Sequence, residues 1–511
     1  MTSFSHSLNR PFATGTRWAI AAGHPAAAST ADSVLRRGGS IVDAAIAASA
    51  VLTVVSPQAT TLGGDGAMCL RGADGKIVGY DGAGWAFGSG AHTFDEATFT
   101  RGAGACVVPG LAALWHMAHE DSGVLPFGDL LAEATTYADD GAPVGRELHK
   151  YLVDQRVRYV DDEFAQAMFS PVFAGAHTFE QPALGRTLRT LAKNGPRDLY
   201  DGETARQLRA FLEHSGRDTP VADFADYRGR RVQPIEIEIG GERVWALPPP
   251  FVGLLGLLQL RELEIVAEDR FLDRRFVHHP AVAKRVFADW GGEIFDRWAD
   301  GADETDVARF CAEALEGHRT ASAGASKLPG SGDTAGIVIV TEDGQALSLL
   351  QSIFQPFGAR LFDPTTGILL NNRMLCFGPE GNNRPAPRRR PLHTLNPMIL
   401  ESNDEIVALC SPGGISQTTT CCQVIDAVRR GGQSVDQAID ASRWSVARVG
   451  DYILEDGPDA AQLAQEIRNG FDEIVAPGKS FYFGSVKLAA VGGGRTTATG
   501  DLRREAGTVA A

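Results

Sequence analysis

Cysteine is scarce in this chain of 511 residues, and what there is lacks pattern. Seven cysteines stand at 69, 106, 311, 376, 410, 421 and 422, an odd number with no C-x-x-C pair. Such spacing argues against a disulfide framework or a zinc ligand set and favours reduced thiols. Basic residues are outnumbered: 48 Lys and Arg against 63 Asp and Glu leave a formal net charge of −15. A nucleic-acid partner, which needs a clustered basic face, is therefore not expected. The longest apolar runs, residues 44–55 and 251–260, fall short of the ~20 residues that cross a bilayer. Residues 1–10 contain no apolar h-region, so a cytoplasmic protein with no membrane partner is the expectation. Neither GxSxG nor HExxH occurs. Gly478-Lys479-Ser480 ends like a phosphate loop, but Glu473 stands where the first glycine belongs, and His278-His279 lacks a metal-binding spacing. No metal or organic cofactor is implied.

Glycine, by contrast, is plentiful at 58 residues, and 44% of the chain is hydrophobic. The length suits either two to four domains or one large layered unit of helices and sheets. Apolar runs predict strands at 18–22, 67–71, 76–80 and 406–410, and a hairpin of 232–239 with 242–246. Spacing of apolar residues by three and four predicts helices at 25–37, 42–55, 130–140, 184–194, 203–214, 280–289 and 417–430. Two double-glycine stops, Gly38-Gly39 and Gly431-Gly432, are each followed by an Asp near the next helix start, a recurring helix corner. Residues 320–333, small and turn-rich, predict a mobile segment ending at Thr334.

The chain is organised around residues 334–353. Ile337 to Val340 is a β-branched run, Glu342-Asp343-Gly344 a turn, and Ala346 to Leu350 apolar again. This is a hairpin whose symmetric pairing sets Thr334 opposite Ser352. If the bond before Thr334 were cut, its α-amine, titrating near ~8, would sit beside its own hydroxyl as a general base. Alternatively, Asp333-Thr334 merely starts a core strand. Gly413-Gly414, between a predicted strand and helix, either presents N–H groups to a developing oxyanion or makes an ordinary turn. Asn371-Asn372-Arg373 is either a surface turn or a polar pocket wall.

Together these residues resemble the γ-glutamyltransferase family of N-terminal nucleophile hydrolases. The resemblance runs in one order through Gly63-Gly64, Thr334, Ser352, Gly367 to Asn372, Arg390 to Thr394, and Ser411 to Gly414. It also takes in His24-Pro25, Val108-Pro109-Gly110, Asp226-Tyr227-Arg228 and Leu247 to Pro250. It implies an α+β fold, a four-layer αββα sandwich. It implies self-cleavage into a large fragment, 1–333, and a small one, 334–511, that associate as one unit; these could pair further as a dimer of heterodimers. By the same resemblance Thr334 is the nucleophile, Ser352 bonds it, and Gly413 and Gly414 form the oxyanion hole.

Departures from the family pattern bear on the substrate. Ala83 replaces the arginine that holds the glutamyl α-carboxylate, and Cys376 replaces an aspartate on the amino side. Arg373 stands where the family has Glu or Gln, and His393-Thr394 replace a Ser-Ser pair. Losing a guanidinium and a carboxylate removes charge-assisted bonds of roughly 1.5–3 kcal/mol each. With Asn372, Arg373 instead suggests an anionic group beside the scissile bond, similar to the oxamate amidohydrolase branch or to relatives that cleave an oxalyl C–C bond. An Arg373 that only pairs with a nearby Asp is the alternative. Three readings follow for the chain: a hydrolase of a small carboxylate-bearing, non-glutamyl substrate, a γ-glutamyl transferase, or an unprocessed scaffold.

Overall fold

The computed structural model describes residues 10–89, 93–265, 268–317, 328, 332–448, 451–455, 474–478 and 483–511, with side chains of 268–278, 446–448, 451–452 and 474–478 left aside. Most of the predicted mobile segment 320–333 lies outside the described residues, as do Glu473, Lys479 and Ser480.

Fourteen strands build two sheets. In chain order they are β1 (Phe12–Gly15), β2 (Trp18–Ala22), β3 (Asp65–Arg71), β4 (Ile77–Gly82), β5 (Arg230–Val232), β6 (Ile235–Ile239) and β7 (Glu242–Ala246). They continue as β8 (Asp333–Thr341), β9 (Ala346–Phe354), β10 (Met398–Glu401), β11 (Glu405–Cys410), β12 (Lys487–Gly492), β13 (Arg495–Gly500) and β14 (Gly507–Ala510). One sheet runs β14-β2-β8-β9-β3-β4-β5 and the other β1-β13-β12-β11-β10-β7-β6. The helices that matter for the site are α1 (Pro25–Arg36), α2 (Ile41–Val55), α3 (Leu111–Ser122), α4 (Gly253–Glu264) and α5 (Ser416–Arg429).

Alternation along β8 explains the layering. Ile337 and Ile339 join the core under α1, α2 and α3, whereas Val338 and Val340 join the core between the sheets. A third core packs the other sheet against α4 and α5. Period-two side chains on strands buried on both faces give this arrangement. Three cores separate four layers, and the expected αββα sandwich is what the chain forms.

The predicted hairpin holds from Val340↔Ala346 through Ala335↔Gln351, then a bulge shifts the register to Asp333↔Phe354. Thr334 lies in that bulge rather than squarely opposite Ser352. The stretch 232–239 is not one strand. Val232 ends β5 in one sheet and Ile235 starts β6 in the other, because Pro234 lacks the N–H a continuous ladder needs. Both double-glycine corners lead into capping boxes, Ser40 with Asp43 and Ser434 with Gln437.

Gly336 sets how closely the sheets approach beside the nucleophile. A Cβ there would lie 2.6 Å from Cys410 Sγ on the facing β11. Gly336→Ala overpacks this contact and should destabilise the fold by about 1–3 kcal/mol. Chemical denaturation checks this by the midpoint, and an unchanged midpoint would refute the tight approach. All seven cysteines are buried and unbridged. No described helix is long and apolar enough to cross a membrane.

Candidate active site

The Asp333–Thr334 junction sits at the open end of the β8–β9 hairpin. Thr334 is buried, and Gln417 Nε2 donates to its Oγ1 at 3.4 Å. Gln417 lies in the first turn of α5, on the facing layer. Its own Oε1 accepts from Asn396 N at 3.1 Å, which turns the Nε2 end toward the threonine. Sequence reasoning missed Gln417; its place three residues after Gly413-Gly414, at a helix start, was the available hint.

Ser352 Oγ donates to the carbonyl of Asp333 at 2.7 Å and accepts from Phe354 N at 2.8 Å. In the uncleaved chain Ser352 thus holds the carbonyl of the candidate scissile bond, not the Thr334 hydroxyl. Gly413 and Gly414 follow β11 with φ of 133° and 59°, conformations that glycine adopts readily. Their carbonyls accept from Ser416 N and Gln417 N, and neither N–H is engaged among the described residues.

Asp65, which directly follows the Gly63-Gly64 pair, is not among the residues that the sequence singles out. In the register of β3 with β9 it pairs with Ser352, so both side chains share the face between the sheets. Asp65 Oδ1 accepts from Gly84 N at 2.9 Å. Its Oδ2 lies 3.2 Å from His393 Nε2 and 3.3 Å from Arg373 Nε, all three side chains being fully buried. His393 is lowered to about 4, by burial first and by Arg373 second, so its ring is neutral at pH 7. With Nε2 facing a carboxylate, Nε2 carries the proton and Nδ1 is the acceptor.

Arg373 comes from a short 3-10 turn after β9. Its guanidinium lies 5.0 Å over the Phe354 ring, and Nη1 donates to Cys376 Sγ at 3.7 Å. The Asp65 contact is an ion pair by distance but is misaligned for a hydrogen bond, and Nη2 has no partner among the described residues. Arg373 does pair with an aspartate, yet it keeps donor capacity unused. Asn372 ties the wall together, donating from Nδ2 to Gln355 Oε1 at 2.9 Å and to Thr100 O at 3.2 Å. Burial pushes the Cys376 thiol up to about 11 against the opposing pull of Arg373, leaving it unreactive.

Ala83 is fully buried between the sheets, its N–H donating to Asp81 Oδ1 at 2.8 Å. Arg390 reaches the same aspartate at 2.7 Å and also donates to Arg228 O, so this nearby cation is committed to the framework. Thr394 is buried next to His393, whose N–H donates to Pro250 O at 2.7 Å.

The Asp333 carboxylate takes an ion pair from Arg504 and a hydrogen bond from Tyr151 OH at 3.3 Å, and its Oδ1 also accepts from the backbone of Thr334 itself, N to Oδ1 at 2.9 Å. Chain-distant residues meet here, and nothing local marks Arg504 or Tyr151 for the role.

Known proteins resemble this chain along most of its length. Residues 27–511 match the family described as Gamma-glutamyltranspeptidase. Oxamate amidohydrolase proenzyme of Klebsiella pneumoniae is 31% identical over 471 residues, covering 87% of each chain. Glutathione hydrolase-like YwrD proenzyme of Bacillus subtilis is 29% identical, covering 84% of this chain and 85% of the relative. A solved structure of cephalosporin acylase from Bacillus halodurans superposes with TM-score 0.83 at 25% identity, covering 100% of this chain and 98% of the other. With a threonine at the head of a central strand, the sandwich around it and a match across nearly the whole length, the chain belongs to the γ-glutamyltranspeptidase family and is an enzyme of the N-terminal nucleophile hydrolase class.

Proposed function

We propose that the chain opens itself between Asp333 and Thr334, giving fragments 1–333 and 334–511. The mature protein then hydrolyses the amide of a small carboxylate-bearing, non-glutamyl acyl group of the oxamate or oxalyl type. The observation that carries the substrate reading is Arg373, buried at the site with a guanidinium nitrogen unused. A buried donor left without an acceptor costs about 1–3 kcal/mol, and an anionic substrate group would relieve that cost. The likeness to an oxamate amidohydrolase supports the same class.

In this reading Thr334 Oγ adds to the substrate carbonyl while its freed α-amine accepts the hydroxyl proton. Gln417 orients the hydroxyl, and the Gly413 and Gly414 N–H groups stabilise the tetrahedral oxyanion. The amine leaves with the proton, and water cleaves the ester. During maturation the same hydroxyl adds to the Asp333 carbonyl, which Ser352 polarises. The Thr334 amide C–N bond breaks, which frees the α-amine and leaves Asp333 as an ester on Oγ; water then hydrolyses that ester, releasing the Asp333 carboxylate and restoring the Thr334 hydroxyl.

Arg373→Ala should raise KM for oxamate by roughly 10- to 100-fold with a smaller change in kcat, the loss of a charge-assisted anchor. Steady-state kinetics on processed enzyme test this, and an unchanged KM would refute the anchor. A chromogenic γ-glutamyl anilide should not turn over. Ala83 and Cys376 lack the charges its amino-acid end requires, and Arg373 opposes its ammonium.

A further inference from the structure

Next to the scissile junction lies a cavity of about 390 Å³ whose lining includes Gly332, Gln355, Tyr151, Tyr159, Arg360 and Arg504. Arg101 and Arg158 also line it, so four arginines face one cavity in a chain of formal charge −15. Asp162 pairs with Arg101 and, at 2.7 Å, with Arg360. Gln355 and Thr100 join this cavity to the Asn372–Arg373 wall through the Asn372 amide.

Two of its lining residues, Tyr151 and Arg504, hold the Asp333 carboxylate. Arg504, buried and 3.9 Å from Glu147, pairs with that carboxylate, and Tyr151 OH donates to it. Asp333 is also the residue whose backbone carbonyl Thr334 must attack to mature. Its side-chain carboxylate therefore stands at a fixed reach from the attacked carbon, the reach of a succinyl unit. Cleavage as proposed above would detach that residue from Thr334, whereas Arg504 and Tyr151 belong to other parts of the fold.

We infer that Asp333 holds, in the uncleaved chain, the seat that a substrate's distal carboxylate takes afterwards, so that Arg504 and Tyr151 select monoamides of short dicarboxylic acids. This rests on acyl transfer to Thr334 as proposed above and extends the acyl group beyond an oxalyl unit. The step balances as before: the Thr334 Oγ–acyl bond forms, the C–N bond breaks, and the hydroxyl proton passes through the α-amine to the leaving amine. Water then releases the dicarboxylic acid.

The test begins with binding, using succinate as probe. Saturating succinate should raise the Tm of processed wild type by about 2 °C or more. It should not raise that of uncleaved Thr334→Ala, where Asp333 still fills the seat. No shift in the processed protein, or an equal shift in both, would overturn the inference. The second arm is the kcat/KM ratio of succinamate to butyramide, which differ in a carboxylate against a methyl. Wild type should favour succinamate by roughly 10- to 100-fold. Arg504→Gln should bring the ratio toward one, and Tyr151→Phe, which keeps the arginine, should lower it several-fold. A wild-type ratio near one, or a ratio untouched by both variants, is fatal to the assignment. Turnover of oxamate without succinamate would sink this inference alone, whereas processed enzyme inert to every carboxylate-bearing amide sinks the underlying reading.

Discussion

Thr334→Ala is expected to remain a single chain of 54.4 kDa under conditions where the wild type yields two bands, and to lose turnover by roughly 10³-fold or more. The size of the effect follows from one residue supplying two functions. In the proposed mechanism its Oγ is the attacking atom in maturation and in catalysis, and its α-amine is the base. Removing the hydroxyl would then prevent maturation, so the base would never form either. Thr334→Ser keeps an oxygen at the same position and should still process, more slowly because serine is less restricted at χ1. Intact mass decides the outcome. An alanine variant that still divides between 333 and 334 would show that another group performs the cleavage. The activity of processed wild type should rise as pH passes through the amine's range near ~8, because the base works only when unprotonated.

Asp65→Ala should be the most damaging change away from the nucleophile. Asp65 is the carboxylate common to Arg373, His393 and the Gly84 N–H, and it is fully buried. Deleting it strands a buried guanidinium, a loss of about 3–5 kcal/mol, against a total stability of about 5–15 kcal/mol for a typical fold. Low soluble yield or a sharply reduced denaturation midpoint is the expected result. Asp65→Asn keeps the Gly84 acceptor and the shape but not the charge, and should fall between. Full stability of Asp65→Ala would mean that Arg373 finds another counter-charge.

The same cluster imposes a pH dependence. His393 titrates at about 4 when folded and near ~6.5 when unfolded, so the unfolded chain binds more protons between those values. The stabilisation is complete above the unfolded value and is lost as pH falls toward the folded one. It amounts to about 3 kcal/mol at most. His393→Asn should remove this component of the acid-side decline in Tm, and an unaltered pH profile would assign the decline elsewhere.

Local sequence carried the hairpin well, because β-branched runs around Asp343 fix both strands and their pairing from within. The helices ending at Arg36, Val55 and His214 were legible for similar reasons, as spacing and punctuation are local. The bulge at Thr334 was not, since it depends on how Asp333 is pulled toward Arg504, far along the chain. The break between β5 and β6 was hidden by apolar alternation that continues across Pro234. Thr334, Ser352 and Arg373 could be named from a family likeness, but their partners could not. Asp65, Gln417 and Arg504 act through contacts between residues far apart in sequence, which no spacing rule encodes.

The two would-be fragments are interleaved rather than docked. β2 lies between β14 and β8, and β3 pairs with β9. In the other sheet β1 pairs with β13 and β7 with β10. If the chain opens before Thr334, every one of these ladders joins polypeptides that no longer share a covalent link. Parting them would then mean unzipping both sheets, so an opened molecule persists as one body. Once unravelled, however, it faces a search between two separate strands of polypeptide, which makes opening the chain a step that folding must precede and that denaturation does not readily reverse.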